Sequence, residues 1–370
     1  MEKLLLYIVA FFFILGAIDY LEGNRFKLGT VFEDGIKNMG PLAISMMGIL
    51  SITPIISNIL DKSLTPLCEK FGIDPSIFIS SLIAVDMGAY NISLDIASSI
   101  ELAIFSGILM ASIIGCTLSF TLPLALGLVK EENMAALTKG ILCGLVTTPI
   151  GLFVGGILLK INIVVLILNI LHILLLAITL SLGIIYKPRL CLHIFRAIGK
   201  VIVFISILGF IIQGIYSITG IEIMSDIMPL SQALFIVGKI AIFLGGAYVM
   251  MECIQRVLNK QLNFIGNKIG VSSNSVTAFI GSLASAIIVF SNYDKLDYNG
   301  KVICAAFSVS GAYVLGGQLG FVASVEPDII WIYILTKMLS GILAVIFAMY
   351  LLKREKKNKN KFNNLISDEE

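Results

Sequence analysis

Charge is what this 370-residue chain has least of: Asp, Glu, Lys and Arg make up 14% of it, against 58% hydrophobic residues. A soluble domain carries about 25% charge on its surface. With a mean hydropathy of +0.99, this chain cannot cover itself in water and needs lipid as part of its solvent. Histidine is nearly absent, with only His172 and His193, which are far apart in sequence; a zinc site fails on ligand count. The six cysteines form no C-x-x-C pair and sit in or beside apolar runs, so neither a disulfide framework nor a metal site is expected. There is no G-x-x-x-x-G-K-[ST] loop for a nucleotide and no Ser/His/Asp or Cys/His set for hydrolysis. The chain is thus expected to be no enzyme and to need no cofactor. The net charge of +2 is confined to local clusters and makes no case for nucleic acid.

What the chain does have is one apolar run after another. A spanning helix needs about 20 mostly apolar residues. Candidates lie at 4–20, 41–60, 76–97, 102–129, 134–159, 161–186, 194–218, 233–254, 275–290, 302–321 and 329–352. This predicts an all-α polytopic membrane protein with ten or eleven hydrophobic segments. The runs are too long, and lack the period-two alternation, for a β-barrel. The tail 353–370 opens Lys-Arg-Glu-Lys-Lys, and Lys187, Arg189, Arg196 and Lys200 cluster between two spans; both regions are expected in the cytoplasm by the positive-inside rule. Loops 220–231 and 322–328 carry no Lys or Arg and are expected outside. These assignments agree with each other if 275–290, short for a span, enters and leaves on one side.

The two halves echo each other. Leu60-Asp61-Lys62-Ser63-Leu64 matches Leu258-Asn259-Lys260-Gln261-Leu262, and Lys70-Phe71-Gly72-Ile73 matches Lys268-Ile269-Gly270-Val271 at the same offset. A short apolar segment follows in each half, behind Asp74-Pro75-Ser76 or Ser272-Ser273-Asn274, natural helix starts. The expected organisation is a first membrane repeat over 1–160, a linker span and second repeat over 161–352, and the basic tail. If 76–97 and 275–290 are both re-entrant, the repeats are inverted, an arrangement that offers a shared core to each side in turn.

An ionisable group in hydrocarbon costs about 2.5–3.5 kcal/mol on insertion scales, so it faces a cavity or a partner. Asp86 lies midway through an apolar segment, with Gly88 able to break the helix and Tyr90 and Asn91 just beyond. A carboxylate, a ring face and an amide suit a primary ammonium group; a structural ion pair is the competing account. Gly316 and Gly317, next to Gln318, are expected to unwind a helix opposite Gly88. Lys337 lies deep in 329–352, where a buried carboxylate partner, Asp86 or Glu252, is expected. Asp19 and Glu252 are expected near the interface, Pro123 and Pro149 to kink their spans, and Asp294 and Asp297 to belong to a solvated loop.

Several stretches together resemble one family. Phe32-Glu33-Asp34-Gly35-Ile36-Lys37-Asn38-Met39-Gly40, Asp74-Pro75-Ser76-Ile77-Phe78, Ala84-Val85-Asp86-Met87-Gly88, Thr148-Pro149-Ile150-Gly151 and Leu244-Gly245-Gly246-Ala247-Tyr248 are similar to motifs of the ethanolamine-utilisation permeases, the EutH-type family. Gly300-Lys301-Val302, Ala306-Phe307-Ser308-Val309-Ser310-Gly311 and Leu319-Gly320-Phe321 continue the resemblance, which runs from about residue 3 to 352. It implies a multi-pass permease of the cell membrane that carries ethanolamine, a small amine cationic at neutral pH. Asp86, Met87 and Gly88 fall inside a family motif. The chain departs from the pattern at Ser285-Ala286-Ile287-Ile288, where the family has Asn-Asn-Ile-Pro, and at Gly317-Gln318, where it has Asp-His. A different solute therefore stays open, as does a non-transporting membrane sensor or assembly subunit. Proton or sodium coupling and the oligomeric state are not legible.

Overall fold

The computed structural model describes residues 2–224 and 227–367. Ser225 and Asp226 of the loop 220–231, and the last three residues of the basic tail, lie outside the described residues, as does the side chain of Arg189. Helices dominate and no strand occurs among the described residues. Helix α1 (Glu2–Leu21) is followed by α2 (Leu28–Lys37) and the long α3 (Met39–Phe71). Asp19 is buried: its carboxylate accepts from the backbone N–H groups of Phe26, Leu28 and Gly29 at 2.8–2.9 Å and so ties α1 to the start of α2. This is a structural cap in the last turn of α1.

Next comes a first hairpin, made of α4 (Pro75–Ser80), a 3₁₀ turn over Val85–Met87, and α5 (Ala89–Ile96). The segment after it starts as α6 (Ile100–Ile104), widens into π-helix over Phe105–Gly115 and Thr117–Thr121, and ends as α7 (Leu122–Leu128). Pro123 stands in the first turn of α7, where a missing N–H is tolerated. Helix α8 (Met134–Leu158) runs on through Pro149, and α9 (Ile163–Tyr186) and α10 (Pro188–Thr219) complete the linker region.

The second half opens with α11 (Leu230–Ile269). A second hairpin follows, α12 (Ser273–Ser282) and α13 (Ile287–Ser291). Then come α14 (Tyr298–Ser310), a break over 311–316, α15 (Gly317–Val325), and α16 (Ile330–Ser367), which continues into the tail. Among the described residues seven helices are long and apolar enough to cross a membrane. The expected ten or eleven segments are not confirmed as separate spans. Segments 76–97, 275–290 and 302–321 are each divided into short helices, and 41–60 lies inside α3, which is not among the seven.

Each hairpin is closed at its base by one aspartate. Asp74 caps α4 through the Ser76 N–H (3.0 Å) and also accepts from the backbone N–H and hydroxyl of Ser98, at 2.9 and 2.6 Å. Asp297 accepts from the Ser272 N–H (2.8 Å), the Ser275 hydroxyl (2.7 Å) and the Gly300 N–H (3.2 Å). In both cases the chain leaves beside the point at which it entered. Each segment is a hairpin.

Their bases lie toward opposite ends of the long helix α8. Helix α8, about 37 Å long at 1.5 Å per residue, serves as the ruler. At its start, Asn133 donates to Asp294 (2.7 Å) and accepts from Lys301 (2.7 Å), so the base of the second hairpin lies at that face. Lys139, one turn on, pairs with Glu355 of α16 at 2.6 Å, so the basic tail emerges there too. At the far end α8 turns into α9, whose Asn169 accepts from the backbone N–H of Asp74, at the base of the first hairpin. Lys187 follows the far end of α9, and Arg196 and Lys200 lie in the first half of α10.

Candidate functional site

The hairpin tips meet the deformed helices at the centre. Alanine 84 is extended, Val85–Met87 make the 3₁₀ turn, and Gly88 has φ of 90°, a left-handed conformation that a side chain disfavours. Ile49 and Thr53 of α3 lie against Gly88. Gly115 of the π-helix faces the carbonyls of Ser80 and Ile83, so the tip rests on a helix surface without a side chain in the way. The second tip docks on the 311–316 break. Tyr313 N–H donates to the Ser282 carbonyl (3.0 Å) and Leu315 N–H to the Leu283 carbonyl (2.9 Å), which satisfies backbone groups freed by the interruption. Tyr313 holds φ of 62°, and Gly316 opens α15 with the Ala284 carbonyl where a Cβ would stand.

Asp86 sits in the first tip. Its side chain is only partly buried, and no hydrogen bond or ion pair reaches its carboxylate from another side chain among the described residues. Asn91, in the first turn of α5, has its amide oxygen buried with no hydrogen-bond partner. Buried oxygens without partners are rare and call for an explanation such as an absent ligand. Tyr90 is buried, and its hydroxyl donates to the Glu326 carboxylate at the end of α15; its ring meets Phe321 edge-on at 6.3 Å. Tyr90 thus spends its polar group on the second repeat.

Lys337 is 1% exposed. Its ammonium donates to the backbone carbonyl of Ser112 at 2.7 Å and to the Gln318 amide oxygen at 2.8 Å, and lies 5.6 Å from the Tyr333 ring centre. Gln318 is itself buried, and the Tyr333 hydroxyl lies 3.4 Å from its oxygen. No carboxylate pairs with Lys337 among the described residues. Glu252, one expected partner, is bound to Arg256 one turn along α11 at 2.7 Å, and Asp86 lies within electrostatic reach but outside ion-pair distance. The expected pairing of Lys337 with Glu252 is therefore not formed, because Glu252 already has a cation on its own helix.

The structure thus gathers Asp86, Gly88, Tyr90 and Asn91 in one tip, and Gly316, Gly317 and Gln318 at the start of α15. Lys337 joins the π-helix to the start of α15. Glu252 lies elsewhere. Sequence reasoning missed Glu326, whose loop looked merely free of Lys and Arg, and the Ser112 carbonyl, since a backbone oxygen leaves no mark in a sequence. It also took Asp297 for part of a solvated loop, whereas this carboxylate closes a hairpin. Among the described residues no cluster of His, Cys, Asp and Glu could hold a metal ion.

Comparison with known proteins agrees with the architecture. The ethanolamine utilisation protein family, EutH, matches residues 1–351. A protein of Listeria monocytogenes named "Probable ethanolamine permease EutH" is 35% identical over 368 residues, covering 99% of each chain. The "Uncharacterized protein YxeR" of Bacillus subtilis is 34% identical over 93% of each chain. The "Probable ethanolamine permease EutH" of Escherichia coli is 28% identical over 96% of each. No solved structure matches. A multi-pass helical chain matched along almost its whole length in this way belongs to the EutH family of ethanolamine utilisation proteins.

Proposed function

We propose that this chain is a membrane permease for ethanolamine or a closely similar small amine, and that the Asp86 carboxylate receives the ammonium. The observation that carries the reading is a carboxylate that no other side chain pairs with among the described residues, at the tip of a hairpin whose next helix holds the partnerless Asn91 oxygen. Ethanolamine has a cationic head and a hydroxyl, both able to donate, and Asp86 with Asn91 offers acceptors for both. A carboxylate at mid-membrane depth is tolerated when a cation visits it. Two hairpins entering from opposite faces supply the means of opening the site to one side at a time. The names carried by the relatives support the same solute. The basic tail, by the positive-inside rule, supports a cytoplasmic C-terminus.

The test is uptake of labelled ethanolamine into proteoliposomes holding only this chain, with unlabelled amines, amino acids and anions as competitors. Asp86→Asn should insert and melt normally yet lose uptake by at least about ten-fold, the order of one hydrogen bond to a charged group. Normal uptake by that variant removes Asp86 from the site. No flux from the wild-type chain under any gradient favours a sensor or assembly role instead.

A further inference from the structure

The same centre holds a second cation site, and the protein fills it itself. Two carbonyl oxygens at 2.7 and 2.8 Å and an aromatic face at 5.6 Å are what a primary ammonium needs, and the group they hold is the ammonium of Lys337. One oxygen comes from the π-helix of the first repeat, the other from the start of α15 in the second. The backbone that carries Lys337 is fixed. On the next positions of α16, Thr336 and Ser340 press against Gly155 and Gly151 of α8, too close for any side chain there. The four-carbon stem of the lysine is the flexible part. Among the described residues its ammonium is held by neutral groups only, and the first tip, which carries Asp86, rests on the same π-helix at Gly115, one turn from Ser112.

We propose that Lys337 is a tethered counter-cation for Asp86. When substrate ammonium occupies the carboxylate, Lys337 is parked between Ser112 and Gln318; when the site is empty, its ammonium moves onto Asp86. This rests on the reading of Asp86 as the amine site and adds how the empty carrier returns. An uncompensated carboxylate buried during that return carries a large desolvation penalty, and an internal cation removes it without help from sodium or a proton. The charge count follows. The empty pair sums to zero and the loaded centre to +1, so net uptake responds to membrane potential and is indifferent to a sodium gradient.

Net uptake and exchange separate this role from a purely structural one. Exchange of labelled ethanolamine against internal unlabelled ethanolamine needs only the loaded carrier; net uptake needs the empty one as well. In proteoliposomes Lys337→Met should lower net uptake at least about ten-fold while exchange stays within about two-fold of wild type. If the variant loses both alike, or keeps both, the proposal is overturned. Gln318→Leu provides an independent reading that leaves the lysine in place. With the parking site weakened, Lys337 competes harder for Asp86, and the half-saturating ethanolamine concentration for exchange should rise about ten-fold. An unchanged value overturns the proposal even if Lys337→Met fails to insert. Asp86→Asn keeps the two readings apart: it should abolish exchange, and if it does not, the amine site itself is misplaced.

Discussion

The hydroxyl of Tyr90 donates to the carboxylate of Glu326 across 236 positions of sequence, joining the first hairpin to the end of α15. Glu326 precedes α16 at the face away from the tail, where the base of the first hairpin also lies. The bond therefore ties the first hairpin to the connection between α15 and α16. A hydrogen bond to a charged acceptor is worth about 1.5–3 kcal/mol. Tyr90→Phe should lower the melting midpoint in detergent, whereas Glu326→Gln, which keeps an oxygen acceptor, should lower it less. Equal losses in the two variants, read by intrinsic fluorescence, would show that the ring of Tyr90 rather than its hydroxyl matters.

Asp74 and Asp297 close the two hairpins, and each accepts from at least one backbone N–H at a helix start. Replacing a helix cap by Ala costs about 1 kcal/mol, and each further bond to a carboxylate adds to that. Asp74→Ala and Asp297→Ala should each destabilise the protein by about 2–3 kcal/mol. Asp74→Asn should come close to Asp74→Ala, since an amide nitrogen in place of Oδ2 would face the Ser98 N–H. Denaturation followed by circular dichroism checks both; a neutral Asp74→Ala would mean that the hairpin is held by packing alone.

Acid should act through Asp297. Burial raises its carboxyl, but hydrogen bonds from Ser275, Ser272 and Gly300 outweigh this and hold it below the usual carboxylate range. A group held lower in the folded state than in the unfolded chain stabilises above its unfolded value, about 3.9, and that stability is lost as pH falls through the folded value. Asp294 behaves likewise, held down by its ion pair with Lys130 at 2.6 Å. The melting midpoint should stay flat with respect to these groups from neutral pH to about 5 and fall below about 4. Asp297→Ala should show a shallower fall. A fall of the same depth in that variant would assign the acid sensitivity to other carboxylates.

Gly316 leaves room for the Ala284 carbonyl of the second tip. Gly316→Val should push the tip away from the break and reduce flux while the long helices still form. Wild-type flux in that variant would show that the docking of tip on break has no part in transport.

Much of this was legible in the sequence and some was not, for physical reasons. Long apolar runs mark spans because lipid imposes a length, but length does not distinguish a crossing from a hairpin. The runs 76–97 and 302–321 looked like spans, and only Gly88 and Gly311–Gly317 hinted that they break. The asymmetry between Asp74 at the start of one hairpin and Asp297 at the end of the other hid their shared role from a position-by-position comparison of the halves. Lys337 was conspicuous as a charge in an apolar helix. Its partners were not, since one is a main-chain carbonyl made available in a π-helix, a winding that none of the side chains over 105–121 announced.

Each hairpin hangs from its own aspartate, at its own face, and no bond between Asp74 and Asp297 ties the two bases together. For the permease we propose, this leaves each hairpin its own root to turn about, with the Tyr90–Glu326 bond as the contact that the first must release.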